Sequence, residues 1–414
     1  MSSYQIESFY PFKIKPMWNY FIKEHYSFWA ICGYLFFEFV KPQALFPIID
    51  FLPWAQLLLM LALAGAVLDP TVKWVSSVTN IFIILFLFMI LVSIAFARYP
   101  EVSKLYIMDF FGWFVIYFLI INIVNTKERF YVFLLIFIFA AGKIALGTSR
   151  SWVSRGFSYK SWGLMGPTGY FQNSGELAIL MVMLFPIAFY FYQYMKNRVL
   201  WWERWLLLAF WVCPILTVLG ASSRGSQLAL LIQLLVMFRK SVFKIKPLIG
   251  LCVLLAAFNF LLPPEQKERF DRAGDDRTSQ QRLLYWENGW EMMKDHPLTG
   301  VGYFNFIPYY EDFYFQDKLF AKAQLPHNIF IQVGTDAGFI ALFLFMLLIL
   351  YCLYVPIKMN GSAGVSDRDK YVAVGLGYGV LGFLIAGQFV TVSYYPFLWV
   401  HLAFIVAHRN ICLN

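Results

Sequence analysis

The amino-acid sequence predicts an all-α, polytopic membrane protein with about twelve transmembrane helices and one large outer loop. Three observations predict it. Of its 414 residues 60% are hydrophobic and only 14% charged, far from the balance of a soluble globular chain. The apolar residues gather in long runs. The bases lie between those runs rather than across a solvated face, so the net charge of +9 reads as a topology signal and a source of anion contacts, not as a nucleic-acid surface. The 45 Phe, 25 Tyr and 14 Trp suit lipid-facing surfaces and interfacial belts.

A helix needs roughly 20 apolar residues to cross a bilayer. On that measure the crossings fall near 27–45, 51–68, 79–97, 105–124, 130–147, 177–195, 201–220, 225–238, 247–263, 329–357, 371–390 and 393–410. The first is irregular. The run at 225–238 is short unless the Ser-Arg-Gly segment before it, or tilt, extends it. Lys143, near the outer end of the fifth run, reads as a lysine snorkelling to the interface. The mixed, aromatic first 25 or so residues show no signal-peptide pattern, so the first apolar run is expected to stay in the protein. With the N-terminus inside, the inner segments carry most of the Lys and Arg, above all RKSVFKIK at 239–246. Both termini are then cytoplasmic, and the loops at 148–176, 221–226 and 264–326 share the outer face. No internal repeat or second domain is visible. The reading is one integral membrane domain over 1–414 with outer loops at 264–326 and 148–176. The cysteines Cys32, Cys213, Cys252, Cys352 and Cys412 are scattered, mostly within apolar runs, with no CxxC pair or metal spacing; they read as small apolar fillers.

The one long polar island runs from Thr278 to Phe339, and chemistry is sought there first. Thr278-Ser279-Gln280-Gln281 resembles a helix start at capping-box spacing. Leu283, Trp286, Trp290 and Met293 then share one helical face, while Arg282, Tyr285 and Gly289 share another. The Trp/Met stripe reads as packing; Arg282 is the residue held at the membrane surface. Pro297 ends the helix, and Gly300 and Gly302 permit a tight turn. His327 sits where the chain re-enters the membrane, followed by Asn328, Gln332 and Asp336 at spacing four inside an apolar helix. Such a stripe faces protein or water rather than lipid. Upstream, Ala221-Ser222-Ser223-Arg224-Gly225-Ser226 offers hydroxyls, backbone N–H groups at a helix start and a guanidinium fork matched to phosphate. The other reading of Arg224 is an anchor to lipid headgroups. Arg155 and the turn-rich run Gly166–Glu176 form either a plain connector or a flap over the site. His25, His296, His401 and His408 read as structural.

The segment RLLYWENGWEMMKDHPLTGVGYFNF…PHNIFIQVGTDAGF resembles the signature of the O-antigen ligase and polymerase superfamily. SSRGSQLAL is similar to its second signature, GYFQNSGELA to a third, looser one, and FEFVKPQALFPIIDFLPW to the start of some ligase-like members. The resemblance covers roughly 150–350. It implies a GT-C-type, metal-independent, inverting glycosyltransferase without cofactor, in the bacterial inner membrane. Such an enzyme takes a glycan from undecaprenyl diphosphate at the periplasmic face and passes it to a glycan or lipid acceptor such as the lipid A core. By the same resemblance Arg224 and Arg282 bind the diphosphate and His327 serves the acceptor hydroxyl, with Tyr285, Asn328, Asp336 and Arg155 as possible supports. Asp336 stands where the resemblance leads one to expect Glu. A polymerase of repeat units shares these signatures. A flippase or transporter, the reading from another class, calls for broken helices in corresponding halves and charges through the bundle, whereas here the polar groups collect on one face.

Overall fold

The computed structural model describes residues 13–158, 162–239 and 274–413, with isolated positions between 245 and 272. The helices are α1 (Ile14–Phe21), α2 (Tyr26–Val40), α3 (Pro42–Leu45), α4 (Trp54–Leu68), α5 (Val78–Ala95), α6 (Pro100–Ile123), α7 (Lys127–Ser154), α8 (Ser174–Met195), α9 (Trp201–Gly220) and α10 (Arg224–Phe238). They continue as α11 (Arg277–Asp295), α12 (Phe306–Phe313), α13 (Ile329–Gly361), α14 (Asp367–Ala386) and α15 (Pro396–Leu413). No strand occurs among the described residues. Eight of these helices are long and apolar enough to cross a membrane: α5 to α9 and α13 to α15. The expected crossings at 27–45, 51–68 and 225–238 are the shorter apolar helices α2, α4 and α10. The crossing expected at 247–263 and the bases Lys240, Lys244 and Lys246 fall mostly or wholly outside the described residues. The chain is an all-α, multi-pass membrane protein.

The centre of the bundle is α8 and α15, which bury most of their length. α14 packs along α8 through small residues: a Cβ at Gly375 would come within 2.9 Å of the Ile187 backbone. Close backbone approach of this kind replaces the hydrophobic drive that helices lack in lipid. At one end of the bundle Arg129 is buried against Glu24, its Nε 2.7 Å from the carboxylate, and joins α7 to the segment before α2. His408 and Cys412, one turn apart on α15, meet Asp369 near the start of α14, with donor atoms of all three within 4.8 Å of one another. Arg368 and Ser366 also bond that carboxylate, and the group ties α14 to α15.

α13 is broken at Gly338 (φ 79°, ψ −178°). A break at membrane depth frees backbone groups that must find partners. The turn after α11 supplies them. Phe339 N–H donates to the Pro297 carbonyl at 2.8 Å, and Val301 N–H donates to the Thr335 carbonyl at 2.8 Å. Ser93 donates to the Asp336 carbonyl. The approach is so close that a Cβ on Gly300 would fall 2.2 Å from the Thr335 oxygen, and Gly300 has a φ of +64° besides. The Asp336 carboxylate accepts from Phe304 N–H at 3.1 Å and so staples the polar island to the break. Asp336→Ala is therefore expected to leave a buried N–H unpaired, at a cost of roughly 1–3 kcal/mol. Thermal unfolding of the solubilised protein should show a clear fall for Ala and little for Asn. Equal melting of wild type and Asp336→Ala, together with lost activity, would instead give Asp336 a chemical role.

Candidate active site

The polar island begins with α11, and its start differs from the sequence expectation. Asp276, not Thr278, is the N-cap, its carboxylate accepting from Ser279 N–H at 3.1 Å. The Gln281 side chain does not reach back to a cap; it bonds the backbone at Asp317 and Leu319. Aspartate is among the strongest N-caps, and here its charge is doubly used. Both terminal nitrogens of Arg224 lie 3.0 Å from Asp276 Oδ2, and Ser279 Oγ is 3.2 Å from one of them. Burial works against the ionised Asp276 carboxyl, but the bonds from Ser279 and Arg224 hold it below the usual carboxylate range. The first residue of α10 thereby clamps the first turn of α11.

The expected face of Arg282, Tyr285 and Gly289 turns inward. Tyr285 and Gly289 are buried, and a Cβ on Gly289 would strike Ile331 of α13. Two side chains of this helix brace the irregular segment that leads to His327. Tyr285 Oη accepts from Gln324 N–H at 2.8 Å, and Trp286 Nε1 donates to the Pro326 carbonyl at 2.8 Å. One helix thus carries Arg282 and also fixes the approach to the histidine. His327 itself adopts φ +51°, a region few non-glycine residues enter, though His does so more readily than most. Its N–H is anchored to Thr391 Oγ1 at 2.8 Å, and its Nε2 lies 3.4 Å from Gln324 Oε1.

Arg224, Arg282 and His327 line one cavity of about 620 Å³. Residues 221–226 in the chain, the start of α11 and the re-entry point at 327 are remote in sequence, so this convergence is the structure's main finding about the site. Two helix N-termini open on the same cavity. α8 is capped by Asn173, which accepts from Gly175 N–H at 2.9 Å, and α10 by Ser223, which accepts from Ser226 N–H at 3.3 Å. Ser222 N–H donates to Ser174 Oγ at 2.8 Å and locks the two starts together. Backbone N–H groups at a helix start, with the positive end of the macrodipole behind them, favour an anion. Burial first, and the Arg282 guanidinium second, push the His327 imidazole down to about 4. At neutral pH it is an uncharged ring able to accept a proton.

The other expected residues lie elsewhere. Arg155 follows the end of α7 and lines a separate cavity of about 450 Å³ with Lys143. Asn328 is the N-cap of α13, accepting from Phe330 N–H at 2.8 Å, and it also donates to Gln388. Gln332 accepts from Ser393 N–H at 3.1 Å. The polar stripe thus faces protein, as expected, and its members position the helix. Tyr285 stands behind the cavity wall. Several wall residues had no sequence signal: Trp162, Thr391 and Tyr395 line the cavity, the last two from the short loop between α14 and α15. Glu176, inside a run singled out for its turn formers, lines it as well.

The cavity brings two guanidinium groups, an imidazole and two helix starts together, an arrangement whose chemistry suits an anion. Comparison with known families finds that residues 208–346 match the O-antigen ligase family, which supports a membrane enzyme of the O-antigen ligase type, ligase or polymerase. The matched residues include Arg224, Arg282, His327 and Asp336, and exclude Trp162, Glu176, Thr391 and Tyr395. No curated protein matches the chain.

Proposed function

We propose that the protein is a glycosyltransferase that moves a glycan from undecaprenyl diphosphate to an acceptor hydroxyl, on lipid A core or a similar acceptor, at the periplasmic face of a bacterial inner membrane. Both termini then lie in the cytoplasm, and the loops at 148–176 and 264–326 are periplasmic. The observation that carries the reading is the meeting of Arg224, Arg282 and His327 around one cavity. The acceptor oxygen attacks the anomeric carbon of the donor sugar from the face opposite the diphosphate. The carbon–oxygen bond to the diphosphate breaks, its electron pair leaves with the phosphate oxygen, and the anomeric configuration inverts. His327 takes the proton of the attacking hydroxyl. Arg224, Arg282 and the two helix starts meet the negative charge as it develops on the leaving group, and a fixed, partly desolvated array of donors does so without reorganising. These residues need no metal for that task, since guanidinium groups supply the positive charge.

The depressed basicity of His327 has a kinetic signature. In the free enzyme the ring is neutral above about pH 4. The acid limb of kcat/KM is expected near that pH rather than near the ordinary imidazole value. A bound diphosphate sets negative charge beside Arg282 and raises the affinity of the ring for a proton, so the acid limb of kcat should lie at higher pH than that of kcat/KM. Arg282→Gln removes the second cause of the depression and should move the kcat/KM limb upward, only partway, because burial remains. Identical limbs for kcat and kcat/KM in the wild type would remove His327 from proton transfer.

The decisive assay offers purified protein in nanodiscs an undecaprenyl-diphosphate-linked glycan with a lipid A core acceptor. A single transfer to the core marks a ligase. A ladder of repeats on the carrier marks a polymerase with the same site. Donor carried across the bilayer with no new glycosidic bond would overturn the enzyme reading.

A further inference from the structure

The cavity has a second lobe whose chemistry differs from the first. Trp162, Asn173, Ser174 and Glu176 line both the cationic cavity and an adjoining space of about 330 Å³. Met165, Gly169 and Gln172 complete the second space, and among the described residues its lining contains no Lys or Arg, although the Lys41 ammonium lies behind Gly169, bonded to the Thr168 carbonyl. The guanidinium groups are thus confined to one lobe. The other offers an indole, a primary amide and a carboxylate. Trp162 is 79% exposed, so its ring face is open to a ligand. Glu176 is half-buried on the first turn of α8, and Tyr395, its neighbour in the cavity wall, has its phenol pushed up by burial and by that carboxylate. The carboxylate is therefore held in place by its hydrogen-bonded phenol rather than waving in solvent. α8 itself is held by the Ser222–Ser174 bond. An aromatic face beside planar acceptors and donors suits a ligand with one apolar C–H face and a rim of hydroxyls. A space at the small end of ligand cavities suits a ring rather than a chain.

We propose that this lobe is a pyranose-binding subsite, in which Trp162 stacks on one face of a sugar ring while Gln172 and Glu176 bond its hydroxyls. The subsite sits beside the cationic lobe, so its ring belongs to the donor or acceptor sugar nearest the reacting centre. The proposal rests on the glycan-transfer reading above for its biological meaning, but its binding chemistry is tested apart from it.

The test is saturation-transfer NMR on the full-length protein in nanodiscs with methyl pyranosides of glucose, galactose, N-acetylglucosamine and rhamnose. At least one glycoside should show transfer concentrated on the ring protons of one face. The signal should disappear in Trp162→Ala, survive in Trp162→Phe, and persist in Arg224→Ala and with added inorganic diphosphate. No signal from any of the four with the wild type, or an undiminished signal in Trp162→Ala, overturns the subsite, whatever the enzyme does. Transfer kinetics then assign the ring. A KM raised about tenfold for the acceptor alone marks an acceptor subsite, and the same rise for the donor alone marks a donor subsite. Unchanged KM for both in Trp162→Ala counts against the proposal even where binding is seen. Loss of transfer in His327→Ala with glycoside binding intact separates the two readings: the chemistry fails there and the subsite does not.

Discussion

Replacing His327 with alanine is expected to lower glycan transfer by about 10²–10⁴-fold, the usual worth of a positioned general base. The protein should remain inserted and folded. The backbone at 327 is held by its own N–H to Thr391 and by the bonds from Tyr285 and Trp286 to residues 324 and 326, none of which uses the imidazole carbon skeleton. Alanine also enters φ +51° less readily than histidine, so some local strain will accompany the change. Asparagine separates the two effects. It tolerates the left-handed region but supplies no base at neutral pH, so His327→Asn should keep the wild-type melting temperature and share the alanine variant's catalytic loss. Transfer at the wild-type rate by either variant, at matched expression in membranes with a lipid-linked donor, would end the base assignment.

The fold was readable because lipid enforces a simple rule: apolar runs of crossing length become helices, and the polar residues between them mark the ends. The three cavity residues were readable for a related reason. Arg224 and His327 stand at the margins of apolar runs, where a charged or polar group is costly unless it has work at the interface, and Arg282 stands out on the amphipathic helix of the polar island. The supporting residues show where that logic stops. Asn328 directly precedes a long apolar run, and an Asn in that position is first of all an N-cap, which is what it became. Asp336 looks from the sequence like a polar group in a helix. Its actual partner, Phe304 N–H, exists only because α13 breaks at Gly338 and the turn after α11 fills the gap. Arg155 is carried away from the cavity because α7 runs on to Ser154, a full two turns beyond the apolar stretch that announced it. Thr391 and Tyr395 were invisible as site residues, since the sequence leaves only two residues between the crossings expected at 371–390 and 393–410, whereas the loop between α14 and α15 runs over 387–395. Likewise His408 and Cys412 show helical spacing in the sequence, but only the packing of α14 on α15 brings Asp369 to them.

The second large effect is expected from the arginines. Loss of one preorganised donor to a developing anion typically costs 10²–10³-fold in rate, and Arg282→Ala should fall in that range, with kcat affected more than donor KM. Arg224→Ala removes two things at once, because its guanidinium also bonds the Asp276 cap of α11. Its loss should therefore reach Arg282 and the segment braced by Tyr285 as well, and the variant should melt earlier than Arg282→Ala. Asp276→Asn discriminates. Asparagine caps a helix about as well as aspartate, so α11 stays, while Arg224 is relieved of a competing carboxylate; donor binding should hold or tighten. Lysine at either position offers a point charge without the planar fork and should recover only part of the loss. If both groups act on one diphosphate, as proposed, the double variant should fall short of the product of the single effects. Full additivity, or donor dependence unchanged in both single variants, would mean that the two guanidinium groups serve the architecture of the cavity and not the leaving group within it.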